Sequence, residues 1–136
     1  ESHMTVPIKS YYDGLRFIYK QWQLPPVNDE QVNATIVMKH YKDLSQRFGY
    51  PILPDEAFIN DWAQWLVKDP LTLNNGISLL EMNAINYPSS SKVYVSLGAA
   101  YVKKGQKENA IASYKKASEL SPMSNEIKLL LLALQK

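Results

Sequence analysis

Apolar side chains recur every three or four residues along most of this chain, and this spacing places them on one face of a helix. The first such segment covers about residues 9–22, where Tyr11, Leu15, Ile18 and Trp22 share a face. Alternation of apolar and polar residues, which would indicate strands, is almost absent. The pattern therefore predicts an all-α chain of about seven helices.

Proline and glycine divide the pattern into separate helices, because proline lacks an amide donor and fixes φ. A Pro-Pro pair ends the first segment. Asn28 or Asp29 is predicted to cap the next helix, and Gly49 to end it. This linking helix is placed within residues 27–54, and its apolar face carries Val32, Ile36, Tyr41, Leu44 and Phe48. The later breaks are predicted near Pro70, Pro88, Gly105 and Pro122.

The segment between Pro88 and Pro122, which are 34 residues apart, has a specific order of small and aromatic residues. It reads Tyr94, Leu97, Gly98, Tyr101, Ala110, Tyr114, Ala117 and Pro122. This order resembles the tetratricopeptide repeat at every signature position, with Tyr in place of the usual Trp and Phe. The resemblance implies that residues 91–124 form two antiparallel helices, which can touch because Gly98 and Ala110 are small.

One period earlier, residues 55–90 resemble a degenerate copy of the same repeat. Gln64 stands where the pattern has Gly, and Asn83 stands where it has Ala. A one-residue insertion in the loop that follows would move Ala63 into the small position, so two registers are open for this helix. Residues 125–136 begin a third unit and are predicted to be a capping helix. Together, residues 55–136 are expected to form a short tetratricopeptide-like superhelix, preceded by two N-terminal helices.

Composition and charge exclude several kinds of site. The chain has no cysteine, so it has no disulfide, thiolate metal site or cysteine nucleophile. Its net charge of +2 is too small to indicate the concentrated basic face of a nucleic-acid-binding protein. No apolar run approaches the roughly 20 residues of a membrane span. His40 has no second ligand at the next helical turn, and we predict no metal site and no cofactor.

The first residues resemble a different family. The run His3-Met4-Thr5-Val6-Pro7 is followed by Tyr12-Asp13-Gly14-Leu15, an aromatic-rich segment and Trp22. This run is similar to the C-terminal end of bacterial esterase-like α/β-hydrolases of the enterochelin-esterase and esterase-D kind, one branch of which continues into a short tetratricopeptide tail. The resemblance implies that residues 1–26 are the end of a hydrolase domain.

In that family the histidine of this run is the base of a Ser-His-Asp triad, so the resemblance gives this role to His3. The chain order in such hydrolases is Ser, then acid, then His, and no G-x-S-x-G occurs in this sequence. His3 is therefore expected to be inert in this chain, and catalytic only in a full-length parent. The alternative is that "SHM" is left over from an expression vector and has no role.

Two surfaces are predicted to bind protein. A tetratricopeptide groove is lined by the first helix of each pair, here by Lys92, Val95, Ala99, Val102 and Lys103. Its centre is apolar and does not resemble a site for a peptide carboxylate, which needs converging Lys, Arg and Asn donors. The last helix is apolar nearly all round, and such a helix is expected to be buried on both sides. Its predicted interface residues are Leu129, Leu132 and Ala133.

The sequence thus predicts a module for protein interaction or oligomerisation, which is not catalytic by itself. The partner would be its own hydrolase domain, a second subunit in a homo-oligomer, or an unknown peptide, and neither nucleic acid nor a membrane. The hydrolase resemblance leaves the compartment open between bacterial cytoplasm and periplasm. The alternative is a free-standing tetratricopeptide adaptor with an unrelated N-terminal helix.

Overall fold

The computed structural model describes residues 22–24 and 26–135. Within them the chain forms six α-helices and no strand. The helices are α1 (Ala34–Phe48), α2 (Glu56–Leu66), α3 (Leu73–Asn86), α4 (Ser91–Lys104), α5 (Lys107–Leu120) and α6 (Asn125–Gln135). The predicted helix over residues 9–22 lies outside the described residues, apart from Trp22. The breaks predicted near Pro70, Pro88, Gly105 and Pro122 each lie in a loop between two helices, whereas Pro25 lies outside the described residues.

The start of α1 differs from the prediction. Asn28 caps only a single turn, in which its Oδ1 accepts from the Gln31 amide at 2.9 Å. The chain is then extended at Asn33, whose Oδ1 accepts from the Ile36 amide and begins the helix. Val32 consequently lies before the helix, in this extended segment, and it is buried there and not on a helical face. The predicted end is confirmed, because Gly49 takes the left-handed conformation (φ 76°) in which glycine is favoured.

The helices after α1 pack as neighbouring antiparallel pairs, α2 with α3 and α4 with α5. Helix α6 packs on α5, and α1 packs on α3. The largest fully buried apolar side chains lie between these helices and are Val32, Val37, Ile59, Leu66, Leu79, Leu80 and Val93. The predicted all-α fold of antiparallel helix pairs is confirmed.

The two helix pairs follow one register of 34 residues. The three apolar side chains that α2 buries are Ile59, Ala63 and Leu66, and the equivalent residues of α4 are Val93, Leu97 and Ala100, which are also buried. The alternative register with a one-residue insertion is therefore not needed. Gln64 is exposed, since it occupies the equivalent of Gly98 while α2 keeps the register of α4. The first pair differs mainly in that α2 ends one turn earlier and is followed by a longer loop.

Candidate interaction surface

A groove of about 560 Å³ lies over one face of α4, between α2 and α6. Four of the five predicted groove residues line it, namely Lys92, Val95, Ala99 and Lys103. Val102 does not, because it lies on another side of α4, in a small depression shared with Ala133 and Leu134. The predicted lining is corrected at this one position.

The groove has an apolar floor and polar edges. Val95 and Ala99 lie at its centre. Lys103 closes one end, where its Nζ donates to the backbone oxygen of Lys68 at 2.9 Å. On the α2 side, Gln64 Nε2 donates to Ser96 Oγ at 3.2 Å. A side chain that enters this groove would therefore meet apolar groups first, with positive charge from Lys92 and Lys103 at its ends and negative charge from Glu126 on the α6 side.

The repeat register extends this surface onto α2. Residues 58, 61, 62 and 65 are the equivalents of 92, 95, 96 and 99, one period earlier. The α2 residues are Phe58, Asp61, Trp62 and Trp65, and Phe58 packs against Trp62 with ring centroids 5.8 Å apart. Phe58 is 51% exposed and Trp65 is 54% exposed. The sequence prediction missed these residues, because two registers were open for this helix and its exposed face could not be assigned.

The same register divides the predicted interface of α6 between two directions. Leu129 is the equivalent of Val95, so it continues the surface that contains the groove, whereas Ala133, the equivalent of Ala99, lines the depression beside Val102. Leu132 is the equivalent of Gly98, which in α4 packs against α5, and it therefore faces a different way. Leu129 is 65% exposed and Leu132 is 57% exposed. We call the surface formed by residues 58, 61, 62 and 65 of α2, 92, 95, 96 and 99 of α4, and 126, 129 and 130 of α6 the first-helix face.

A second apolar depression, of about 550 Å³, lies between α1 and the segment that follows it. Its lining includes Met38, Tyr41, Tyr50 and Leu53. Trp22 lies close to its edge, with its ring 5.2 Å from that of Phe48, which is in turn 6.3 Å from Tyr50. His40 Nε2 is 3.2 Å from the backbone oxygen of Trp22. This contact with the chain before α1 agrees with a structural role for His40.

Three other predictions concern chemistry or membranes. His3, the predicted triad base, lies outside the described residues. In the described part of the chain, no group of three or more His, Asp or Glu side chains could hold a metal ion. None of the helices there is long and apolar enough to cross a lipid bilayer.

The geometry of these helix pairs agrees with a match to a known protein family. Residues 91–122 match the family model of the tetratricopeptide repeat. This chain contains a tetratricopeptide repeat. The match covers α4, α5 and the loop that precedes α6, and the all-α fold of helix pairs is tetratricopeptide-like. A search of curated protein sequences found no match. The tetratricopeptide part of the resemblance is thus confirmed, while the hydrolase part stays a prediction from residues 3–22.

Proposed function

We propose that this chain is a protein-interaction module that binds its partner through the first-helix face, with the groove over α4 at the centre. The observation that carries this proposal is the exposure of large apolar side chains on that face. Phe58 and Trp65 on α2 and Leu129 on α6 are each more than half exposed. They flank a groove whose floor is also apolar. Clustered apolar side chains of this kind mark interaction sites on soluble proteins.

The repeat family supports the same function, because tetratricopeptide arrays use the face formed by the first helices to bind proteins. The groove supports a partner that inserts an apolar side chain. Lys92 and Lys103 stand at its ends, and Val95 and Ala99 lie between them. A partner segment with an apolar side chain beside an acidic one would match both features.

A photoreactive amino acid in place of Val95 tests this function in cells of the native host. Val95 lies on the groove floor, and Lys115 is an exposed residue of α5, away from this face, that serves as the matched control position. Irradiation is expected to give a defined protein adduct from position 95 and none from position 115. Adducts from position 115 alone, or none from either position, would refute the proposed binding face.

The identity of the parent protein is a separate proposal, supported by the resemblance of residues 3–22 to esterase-like hydrolases. It predicts a G-x-S-x-G motif in the gene upstream of Glu1, whereas a free-standing adaptor would lack it. The chain by itself has no such motif and keeps only His3 of a triad. The purified chain should therefore hydrolyse a short-chain nitrophenyl ester no faster than free imidazole does, and faster hydrolysis would contradict this expectation.

A further inference from the structure

On the first-helix face, the side chains of α2 are larger than those of α4 at equivalent positions. Where α2 has Phe58, Trp62 and Trp65, α4 has Lys92, Ser96 and Ala99. Helix α2 thus presents a ridge of aromatic side chains, while α4 forms the floor of a groove of about 560 Å³. The molecule carries both a ridge and a groove that can receive one, side by side on one surface.

The two halves also differ in charge. Asp61 is the charged residue of the α2 half, and Lys92 and Lys103 are the charged residues of the α4 groove lining. An acidic side chain therefore accompanies the ridge, and a basic side chain of α4 lies at each end of the groove floor, while Glu126 lines the groove from α6. Charge complementarity of this kind fixes the orientation of two partners and disfavours wrong pairings.

From this we infer that a second copy of the chain occupies the first-helix face, with the α2 ridge of each copy seated in the α4 groove of the other. This inference rests on the proposed function and names its partner. The symmetry operator is a two-fold axis that runs parallel to α2 and α4 and passes between them. Such an interface uses the same patch on both subunits, as closed dimers do.

This operator brings equivalent positions of α2 and α4 opposite each other. Trp65 lies over the small Ala99 of the second copy, and Phe58 lies over the stem of its Lys92. Asp61 lies over Val95, one helical turn from Lys92, so that its carboxylate and the Lys92 ammonium can pair. A rotation that placed α2 on α2 would instead bring Asp61 near Asp61 and stack aromatic ridges, which makes that arrangement unfavourable.

Charge reversal at this pair gives a sharp test. The wild-type chain is expected to sediment as a dimer at micromolar concentration. Asp61→Lys and Lys92→Asp, each made alone, place like charges opposite each other twice per dimer and should weaken the dimer at least about tenfold. A mixture of the two variants should form a heterodimer with affinity close to wild type, because both contacts then pair opposite charges. Glu119→Lys, an exposed charge of α5, is the control that should leave the dimer unchanged.

Circular dichroism of each variant separates loss of the dimer from loss of the fold. A folded wild-type chain that is monomeric throughout would overturn the inference, as would a dimer that neither single variant weakens or that mixing fails to restore. The photoreactive residue at position 95 distinguishes this failure from failure of the proposed function. An adduct between two copies supports both, an adduct with a different protein supports the interaction module and overturns the dimer, and no adduct refutes both.

Discussion

The ring of Tyr114 in α5 lies directly on Gly98 in α4. A Cβ placed on Gly98 would come within 2.6 Å of Cε1 of the ring and 2.7 Å of Cδ1, whereas real Cβ contacts are well beyond 3 Å. Tyr114 is buried, so its ring is held in place by the surrounding helices. The contact explains why the matched repeat has glycine at this position, since any side chain would push the two helices apart.

We predict that Gly98→Ala destabilises the chain. The added methyl group overlaps the Tyr114 ring, and overpacking of this kind costs about 1–3 kcal/mol. Alanine also gains up to about 1 kcal/mol of helix propensity over glycine, so the net loss should be smaller than the overlap alone would give. Urea unfolding followed by circular dichroism measures the change.

The Tyr114→Ala background is the control, and it should reverse the sign. Without the ring the methyl group meets no overlap, so Gly98→Ala should then stabilise the chain by up to about 1 kcal/mol through helix propensity. If Gly98→Ala destabilises both backgrounds equally, the ring contact is not its cause.

This contact also shows what the sequence could predict. Gly98, Tyr114 and Pro122 belong to a local motif with fixed spacing, and the helices and breaks of residues 55–120 follow from that spacing and from proline and glycine chemistry. The conclusion that Gly98 is small because another helix approaches it was correct. Its partner is the Tyr114 ring, and this pairing became visible only in three dimensions.

The start of α1 could not be predicted in the same way, because two asparagines compete for the cap. Asn28 and Asn33 are equally good caps by residue type. Contacts with α3, which is distant in sequence, accompany the observed choice. Ser78 Oγ accepts from the Ala34 amide at 3.1 Å, and Asn75 Nδ2 donates to the backbone oxygens of Asp29 and Glu30.

The candidate site was predicted in part for a related reason. Residues of α4 were assigned from a well-matched repeat, and four of five line the groove. The aromatic residues of α2 belong to the degenerate copy, where the register was open by one residue and no face could be assigned. The burial of Ile59, Ala63 and Leu66 fixes that register. In this register Trp65 occupies the position that Ala99 occupies in α4.

At Gly105 we predict that the backbone, and not packing, sets the cost of substitution. Its φ is +77°, and a Cβ there would have nothing within 4 Å. Gly105→Ala should therefore cost about 1–2 kcal/mol, the penalty of the left-handed conformation for an ordinary residue. Gly105→Asn should cost less, because asparagine tolerates this conformation at helix ends. Equal losses for the two variants in urea unfolding would mean that conformation is not the cause.

The two buried asparagines of the first pair should respond differently to alanine. Asn60 is fully buried, and neither its Nδ2 nor its Oδ1 has a hydrogen-bond partner among the described residues. Asn83 Nδ2 donates to the backbone oxygen of Glu56 at 3.0 Å, and only its Oδ1 has no partner among the described residues. An unpaired buried amide costs about 1–3 kcal/mol, so Asn60→Ala should be near neutral or stabilising, whereas Asn83→Ala should lose about 1 kcal/mol.

Ile59→Ala is the reference for this pair of variants, since it removes a fully buried apolar side chain from the same helix and should cost about 2–5 kcal/mol. A loss at Asn60 as large as that at Ile59 would show that the Asn60 amide makes a stabilising interaction. Thermal and urea unfolding of the three variants decide the matter.

The last prediction concerns alkaline pH and follows from the tyrosines of the helix pairs. Burial raises the pKa of Tyr101, and so does its hydrogen bond to Glu81, in which the Tyr101 hydroxyl donates to Oε1 at 2.5 Å. Burial likewise raises the pKa of Tyr114. Above about pH 10 the unfolded chain loses these protons while the folded chain retains them, so the unfolded state binds fewer protons and the free energy of unfolding falls as pH rises.

Tyr101→Phe should therefore lose about 1 kcal/mol of unfolding free energy at pH 7, where the hydrogen bond of the wild type is intact. The variant should also show a shallower decline of stability between about pH 10 and the folded-state pKa of Tyr101. Tyr114→Phe should also reduce the decline, with a smaller loss at pH 7, because its pKa is raised by burial alone. Urea unfolding at several pH values measures both effects, and a Tyr101→Phe variant whose decline matches that of the wild type would show that Tyr101 does not titrate differently in the two states.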